Sequence, residues 1–297
     1  MEILIGTVSI LLTIIGVYYA REQVIVQRRE RLSAPKVTFA KNVLEKIKTE
    51  KLLRVGCLWY PPFVEYRIEQ KIVIASGLYP DILKTLGESQ DINVQFFILK
   101  WHEAIDALST GKVDVVACVL KSADRRANCD FAGTVFRVGV GAVVRSGQKK
   151  IHTHGDLVKD DISIAVTKGE IGWTYAKENL GLLKNSGKFT ILKDKSIQTM
   201  MSLVEKGIVD CALADSLSCA QFIGSAIENQ QLLSDIFAAT PIHVEDNALM
   251  VAKDNPDFVD WLESGINEIR MQPEINILEH QIATQYPNIL HRASTFM

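Results

Sequence analysis

Short apolar runs alternate with helix-like segments along most of this chain, and that alternation limits the folds it can adopt. Leu53–Leu58 and Val113–Leu120 have the length of buried strands, whereas Leu78–Leu86 and Glu103–Thr110 repeat apolar residues at helical spacing. Strands that alternate with helices pack as a sheet with helices on its faces. The sequence therefore predicts an α/β fold. Further strands are predicted at Val94–Leu99, Val138–Val144, Ile162–Val166, Cys211–Ala214 and Ala248–Ala252, and a further helix at Ile197–Lys206.

The chain is long enough to form two globular lobes. It has 297 residues, of which 47% are hydrophobic and 23% charged, and these values are typical of ordered proteins. Residues 52–297 carry 24 basic and 30 acidic side chains. This acidic balance argues against nucleic-acid binding by the lobes.

The first twenty residues predict a membrane anchor. Ile3–Ala20 contains no charged residue, and at about 1.5 Å per residue a helix of this length nearly spans a hydrocarbon core. A cleaved signal peptide would begin with basic residues, but Met1 and Glu2 provide none. We therefore expect an uncleaved single-pass transmembrane helix over residues 1–20.

Residues 21–51 form a basic connector, with nine Lys or Arg residues against four Glu. Its second part, Val37–Lys51, has the apolar spacing of an amphipathic helix, which we expect to pack on the first lobe. Basic flanks of a transmembrane helix stay in the cytoplasm, so the charge pattern predicts cytoplasmic lobes in an inner-membrane protein. An extracytoplasmic location of the lobes is the alternative.

The five cysteines mildly favour a reducing compartment. They form an odd set without a C-x-x-C spacing, and several lie in apolar runs where a free thiol behaves as a small hydrophobic group. They are Cys57, Cys118, Cys129, Cys211 and Cys219.

The segment Ser122–Arg125 indicates a site for a carboxylate. It follows the predicted strand Val113–Leu120 and places a hydroxyl three residues before a guanidinium. Arginine offers five donors in a planar fork that can bind both carboxylate oxygens. Taken alone, the motif is weak, because an arginine near a strand end is more often solvated or part of a structural ion pair.

Several short motifs, in their order and spacing, resemble the bacterial extracellular solute-binding proteins of family 3, the periplasmic amino-acid-binding type. Each motif alone is common, but the full set in this order over residues 38–272 is specific for the family. They are Leu53–Gly56, Tyr60–Phe63, Gly77–Leu83, Trp101–Leu108, Gly111–Ala117 and Ser122–Phe131 for a first lobe, Lys206–Asp215 within a second-lobe block at 161–222, and Asn247–Lys253 with 257–270 for a return to the first lobe.

This resemblance implies a two-lobed periplasmic-binding-protein-like fold of type II, in which a cleft closes on a small ligand. It assigns the ligand carboxylate to Arg125 with Ser122, and the ligand ammonium to Asp215. It also places Tyr60 and Trp101 as aromatic walls of the cleft. The family works almost always outside the cytoplasmic membrane, which conflicts with the charge pattern after the anchor.

The chain departs from the family pattern on both sides of the expected carboxylate site. Lys168-Gly-Glu170 stands where the family usually has a glycine followed by Ser or Thr, and Lys121 lies where small polar residues are typical. Glu170 at a helix start would repel a carboxylate unless it points away. These departures indicate that the ligand is held more loosely or that it is not a standard α-amino acid. Lys121 and Glu170 could equally recognise a ligand of different charge.

An enzyme is the less favoured interpretation. Some relatives are dehydratases that act on cyclohexadienyl amino-acid precursors, and such an enzyme would need a general acid such as Glu170 or Asp215. No phosphate loop, Ser-His-Asp arrangement or nucleophile elbow occurs. His152 and His154 lie in a predicted loop without further spaced ligands, so they are interpreted as a solvated pair. We predict no cofactor and no metal.

Together these features predict a membrane-anchored solute-binding protein that closes on a small, carboxylate-bearing ligand for sensing or transport, in contact with the membrane and with a permease or signalling partner. A ligand-independent tethered effector is a further alternative. The predicted regions are the anchor at 1–20, the connector at 21–51, lobe 1 at 52–145, lobe 2 at 146–242, and a return to lobe 1 with the C-terminal tail at 243–297.

Overall fold

The first lobe is built on three parallel strands, in which β1 (Leu52–Cys57) pairs with β4 (Asn93–Ile98) and with β5 (Val115–Leu120). The computed structural model describes residues 42–193 and 197–294. Its first helix, α1, buries Val43 and Ile47, and it belongs to the predicted helix Val37–Lys51. The elements of this part are α1 (Val43–Glu50), β1 (Leu52–Cys57), β2 (Glu65–Glu69), β3 (Ile72–Ser76), α2 (Leu78–Ser89), β4 (Asn93–Ile98), α3 (Ala104–Ser109), β5 (Val115–Leu120) and α4 (Ala123–Arg126).

A single long strand, β6 (Cys129–Arg145), runs through both lobes. Its first part pairs with β11 (His243–Ala252), which in turn pairs with β5 of the first lobe. From Val140 to Val144 the strand pairs instead with β9 (Cys211–Asp215) of the second lobe. The two lobes therefore share one sheet, whose strands follow the order β4-β1-β5-β11-β6-β9-β7-β8, in which β7 is Ile164–Thr167 and β8 is Phe189–Leu192.

The second lobe repeats the parallel arrangement on the other side of β6. Strand β7 pairs in parallel with both β8 and β9. The apolar faces of its helices cover this part of the sheet, with Met200, Met201 and Val204 fully buried. The elements are β7 (Ile164–Thr167), α5 (Ile171–Asn179), β8 (Phe189–Leu192), α6 (Ile197–Glu205), α7 (Ser216–Gly224), α8 (Ile227–Leu232) and β10 (Leu233–Asp235).

The remaining chain returns to the first lobe and ends against β6. Helix α9 (Pro256–Arg270) is followed by α10 (Pro273–Gln285) and the short strand β12 (Leu290–Arg292). Strand β12 pairs with β6 at residues 136–138, next to the point where β6 meets β9. The tail is thus part of the sheet that joins the lobes.

Buried charges fix this tail to α9. Arg270 and Glu279 are 1% and 0% exposed, and the arginine donates to both carboxylate oxygens at 2.6 and 3.1 Å. Arg292 of β12 donates to the same carboxylate at 2.7 Å. Arg270 also donates to the carbonyl of Ala293 at 2.8 Å. One carboxylate thus joins two helices and the last strand.

The predicted elements are present with shifted ends. The strand predicted at Val138–Val144 begins nine residues earlier, at Cys129, and the strand predicted at Ala248–Ala252 begins at His243. The lobe boundaries at residues 145 and 243 stay predictions. The predicted anchor Ile3–Ala20 and most of the basic connector lie outside the described residues. Among the helices within residues 42–193 and 197–294, none combines the length and the apolar composition that spanning a membrane requires.

All five cysteines are buried free thiols. Burial raises the pKa of the thiols of Cys57 and Cys129 to about 12, which keeps them protonated and unreactive near neutral pH. They act as small apolar side chains of the core.

The Arg270–Glu279 pair yields a stability prediction. Arg270→Ala leaves a fully buried carboxylate with one partner fewer, so the free energy of unfolding should fall by about 3–5 kcal/mol. Arg292→Ala is the control, because Arg292 is one-third exposed and Glu279 keeps its pair with Arg270; we expect a loss of about 1 kcal/mol there. Urea denaturation followed by circular dichroism measures both. Equal losses in the two variants would contradict this account of the tail.

Candidate functional site

A cavity of about 210 Å³ lies between the two lobes, beside the crossing of β6. The first lobe contributes the ends of β1 and β5 and the start of α4, and the second lobe contributes the ends of β7 and β9 with the helices that follow. Five of the predicted site residues line it together: Tyr60, Trp101, Arg125, Glu170 and Asp215. Because these residues are far apart in the sequence, only the fold brings them into one cavity.

Arg125 provides the positive charge of the cavity. It lies in α4, one turn after β5, and its guanidinium donates to the carbonyl of Leu120 at 2.9 Å and to that of Gly169 at 3.4 Å. Leu120 belongs to the first lobe and Gly169 to the second. The guanidinium carbon lies 5.5 Å from the centroid of the Trp101 ring, a distance at which a cation interacts favourably with an aromatic face. Arg125 is therefore held by both lobes and by an aromatic wall.

Asp215 is positioned by the second lobe and tied to the first. It ends β9 and caps α7, with its Oδ1 accepting the backbone N–H of Ser218 at 2.8 Å. The Tyr60 hydroxyl donates to the same oxygen at 2.6 Å. The two side chains are 8% and 7% exposed. Burial, followed by the neighbouring carboxylate, holds the pKa of Tyr60 well above its usual range, so the tyrosine keeps the proton that it donates.

Glu170 brings a second carboxylate into the cavity. It occupies the N-cap position of α5, but its side chain makes no capping hydrogen bond. Gly172 lets this helix approach closely, because a side chain there would collide with the Leu213 carbonyl of β9. Burial raises the pKa of Glu170, and the positive charge of Arg125 opposes that shift. The carboxylate thus faces the cavity next to Asp215.

Two tryptophans flank the mouth of the cavity. Trp101 is 41% exposed and Trp59 is 52% exposed, although large aromatic side chains are usually well covered. Trp59 packs edge-on against Tyr66, with ring centroids 5.2 Å apart. Both rings can therefore cover a ligand without first leaving a packed core.

Lys121 and Ser122 do not line this cavity. Lys121 points to the other side of the sheet, where its ammonium lies 3.5 Å from Asp246. Ser122 is buried, and its backbone carbonyl accepts the N–H groups of Arg125 and Arg126 at the start of α4. The serine thus supports the turn that presents Arg125.

The sequence interpretation did not identify several lining residues. Trp59 directly precedes Tyr60 after the end of β1. Its position next to a predicted site residue is the one sequence signal that could have identified it as a lining residue. Thr167, Ser218 and Met200 come from three separate elements of the second lobe, and no local motif marks them. Their positions follow from the packing of helices on β7 and β9.

Direct contacts between the lobes enclose the cavity. Besides the Tyr60–Asp215 hydrogen bond, the Gln221 side chain of α7 donates to the Pro61 carbonyl of the first lobe at 2.6 Å. Arg125 adds its bond to Gly169. The described structure therefore corresponds to a closed arrangement of the two lobes.

The histidine pair lies away from this cavity. The ring of His152 contacts the carbonyl of Lys149, and that of His154 contacts the carbonyl of Thr240. In the part of the chain that the structure describes, no three His, Cys, Asp or Glu residues are grouped to hold a metal ion.

Solved structures show the same fold at low sequence identity. A receptor for L-cysteine from Neisseria gonorrhoeae matches with a TM-score of 0.64 at 19% identity, over 84% of this chain and 99% of that one. A histidine kinase sensor domain with similarity to periplasmic binding proteins matches with a TM-score of 0.62 at 18% identity, over 77% and 95%.

An ancestral amino-acid-binding protein, a precursor of cyclohexadienyl dehydratase, matches with a TM-score of 0.60 at 22% identity, over 80% of this chain and 97% of that one. No protein with a curated description matches the sequence. These similarities show a periplasmic-binding-protein-like fold with two α/β lobes.

The sequence itself identifies the family. Residues 53–284 match the bacterial extracellular solute-binding proteins, family 3, and the match includes every residue that lines the cavity. The chain belongs to the bacterial extracellular solute-binding proteins of family 3.

Proposed function

We propose that this protein binds a small amino acid in the cavity between its lobes and that binding stabilises their closed arrangement. The observation that carries the proposal is the placement of Arg125 and Asp215 in one enclosed cavity. A zwitterion needs a cation for its carboxylate and an anion for its ammonium, and removal of water strengthens both pairings. Arg125 binds the carboxylate, and Asp215 binds the ammonium.

One carboxylate oxygen of Asp215, Oδ2, can accept a hydrogen bond from the ligand ammonium. Tyr60 and Ser218 both donate to Oδ1, whereas no group among the described residues donates to Oδ2. An ammonium has three donors and can bond to this oxygen without displacing a protein group. The Tyr60 bond also fixes the carboxylate plane, so the second oxygen is already oriented before the ligand binds.

Closure of the two lobes links ligand binding to sensing or transport. The hydrogen bonds Tyr60–Asp215 and Gln221–Pro61 cross between the lobes, and a ligand that contacts both Arg125 and Asp215 adds to them. A ligand that binds the closed arrangement better shifts the population towards it. We favour sensing at a membrane as the use of this shift, because a tethered protein stays beside a fixed partner. Presentation of the ligand to a permease is the second use.

The carboxylate role of Arg125 predicts a large loss of binding in Arg125→Ala. Losing the charged partner of a desolvated carboxylate should weaken binding by about 2–5 kcal/mol, which is roughly thirtyfold or more in affinity. A thermal-shift screen of the full chain in detergent against the twenty L-amino acids identifies the ligand, and calorimetry then measures each variant.

Arg126→Ala is the matched control for this experiment. Arg126 is the next residue, is half-exposed, and pairs with Glu245 outside the cavity at 2.9 Å. We expect its affinity to stay within twofold of the unmodified protein. A screen without any stabilising amino acid, or equal effects of the two substitutions, would contradict the proposed function.

The bond between Tyr60 and Asp215 predicts a second variant. Tyr60→Phe keeps the ring but removes a buried hydrogen bond to a charged group, which contributes about 1.5–3 kcal/mol. We expect amino-acid affinity to fall by about tenfold to a hundredfold in calorimetry, whereas Tyr66→Phe, on the neighbouring hairpin, should change it little. If Tyr60→Phe bound as tightly as the unmodified protein, closure would not depend on this bond.

We also propose that residues 3–20 hold the protein at the inner membrane with its lobes in the cytoplasm. The support is the uncharged stretch together with the excess of basic residues that follows it. A green fluorescent protein fused to the C-terminus should fluoresce in the membrane fraction. A C-terminal alkaline phosphatase fusion that is active, beside a fluorescent fusion that is dark, would place the lobes outside the cytoplasm.

A further inference from the structure

A second cavity, of about 200 Å³, lies behind the strands that join the lobes, and we call it the rear cavity. Strand β6 contributes Thr134 and Arg137 to its lining, β11 contributes Asp246, and α9 contributes Glu263 and Asn267. It shares no lining residue with the cavity between the lobes. The two cavities are close in volume, so the rear cavity can also hold a molecule of amino-acid size.

Lys121 brings a cation with unused donors to the rear cavity. Its side chain is 16% exposed, and its ammonium lies 3.5 Å from the Asp246 carboxylate. The same carboxylate binds the Arg137 guanidinium at the shorter distance of 3.1 Å. Among the described residues, no acceptor receives a hydrogen bond from the Lys121 ammonium. An ammonium has three donors, and a partly desolvated one gains from an acceptor that a ligand supplies.

Glu263 brings a negative charge to the same cavity. It lies in α9, the helix that packs on β6, and it is half-buried. In the part of the chain that the structure describes, no group donates to its carboxylate and no cation lies within the 4.0 Å of an ion pair. Asn267 follows one helical turn later and lines the cavity with an amide. A cationic ligand group would therefore find both a carboxylate and an amide oxygen on this helix.

The charges of the rear cavity cancel, but they are not all paired. Lys121 and Arg137 are positive, whereas Asp246 and Glu263 are negative. Both cations share the Asp246 carboxylate, so positive charge is in excess around Lys121 and negative charge remains at Glu263. Glu263 repels a simple anion, and Lys121 repels a simple cation. A molecule with one charge of each sign suits both residues.

We propose that the rear cavity is a second binding site and that it takes a small zwitterion, with the anionic group on Lys121 and the cationic group on Glu263. This site does not require a ligand in the cavity between the lobes. Lys121 directly follows Leu120, which lines that other cavity. Because successive residues of an extended segment face opposite sides, one short segment contributes to two sites.

Short ω-amino acids test the proposal, because their two charges lie at the ends of the molecule. β-Alanine, γ-aminobutyrate and 5-aminovalerate give three separations between the charges. For each of them, the carboxylate without the amino group and the amine without the carboxyl group are the matched single-charge probes. Calorimetry of the full chain in detergent measures every affinity for the unmodified protein, for Lys121→Ala, for Glu263→Gln and for Arg125→Ala.

We expect at least one of the three ω-amino acids to bind, and its single-charge probes to bind about tenfold more weakly or worse. Lys121→Ala and Glu263→Gln should each weaken its binding by about tenfold or more, because each substitution removes a charged hydrogen-bonding group. Arg125→Ala should leave the affinity within about twofold, because Arg125 lines the other cavity. Glu268→Gln is the control for Glu263→Gln, since Glu268 is exposed on the same helix and does not line the rear cavity. Circular dichroism melts show whether each variant is folded.

Several results would overturn the inference. It is wrong if none of the three ω-amino acids binds, or if a single-charge probe binds as tightly as its zwitterion. It is also wrong if Lys121→Ala or Glu263→Gln binds as the unmodified protein does. If Arg125→Ala weakens binding as much as Lys121→Ala does, the ligand occupies the cavity between the lobes and the rear site fails. None of these results decides the proposed function, which is tested with the α-amino acids.

Discussion

The structure depends on one strand that belongs to both lobes. Strand β6, Cys129–Arg145, pairs with β11 on the side of the first lobe and with β9 on the side of the second. Val140 lies where the pairing of β6 passes from β11 to β9, and it is in register with both His243 and Asp215. Asp215 therefore stands where the lobes meet, and a hydroxyl from the end of β1 can reach it. The buried Tyr60–Asp215 bond is a direct consequence of this register.

The electrostatics of the cavity follow from the same arrangement. The close packing at Gly172 brings the start of α5 onto β9, which sets Glu170 beside Asp215 and opposite Arg125. Two carboxylates in a partly desolvated space repel each other, and burial raises the pKa of Glu170. In the proposed function, a ligand that contacts both Arg125 and Asp215 adds bonds between the lobes, and the binding free energy then supports their closed arrangement.

The sequence predicts most of the strands and helices and part of the candidate site, and the parts that it does not predict have physical causes. Buried strands and amphipathic helices leave periodic apolar patterns, so β1, β4, β5, β9, α2 and α6 were found within a few residues of their ends. The start of β6 was missed because Asp130, Gly133 and Thr134 interrupt its apolar run. Lys121 was expected near the ligand, but successive residues of an extended segment face opposite sides, and Leu120 takes the side of the cavity. Trp59, Thr167 and Ser218 meet only through tertiary packing, which local patterns do not encode.

The central claim is that Arg125 and Asp215 recognise the two charged groups of one amino acid. A crystal structure of the protein grown with the amino acid that the thermal-shift screen identifies tests it most directly. The account predicts the α-carboxylate on the Arg125 guanidinium and the α-ammonium on Oδ2 of Asp215. A bound amino acid whose carboxylate lies away from Arg125, or whose ammonium lies away from Asp215, would contradict the account.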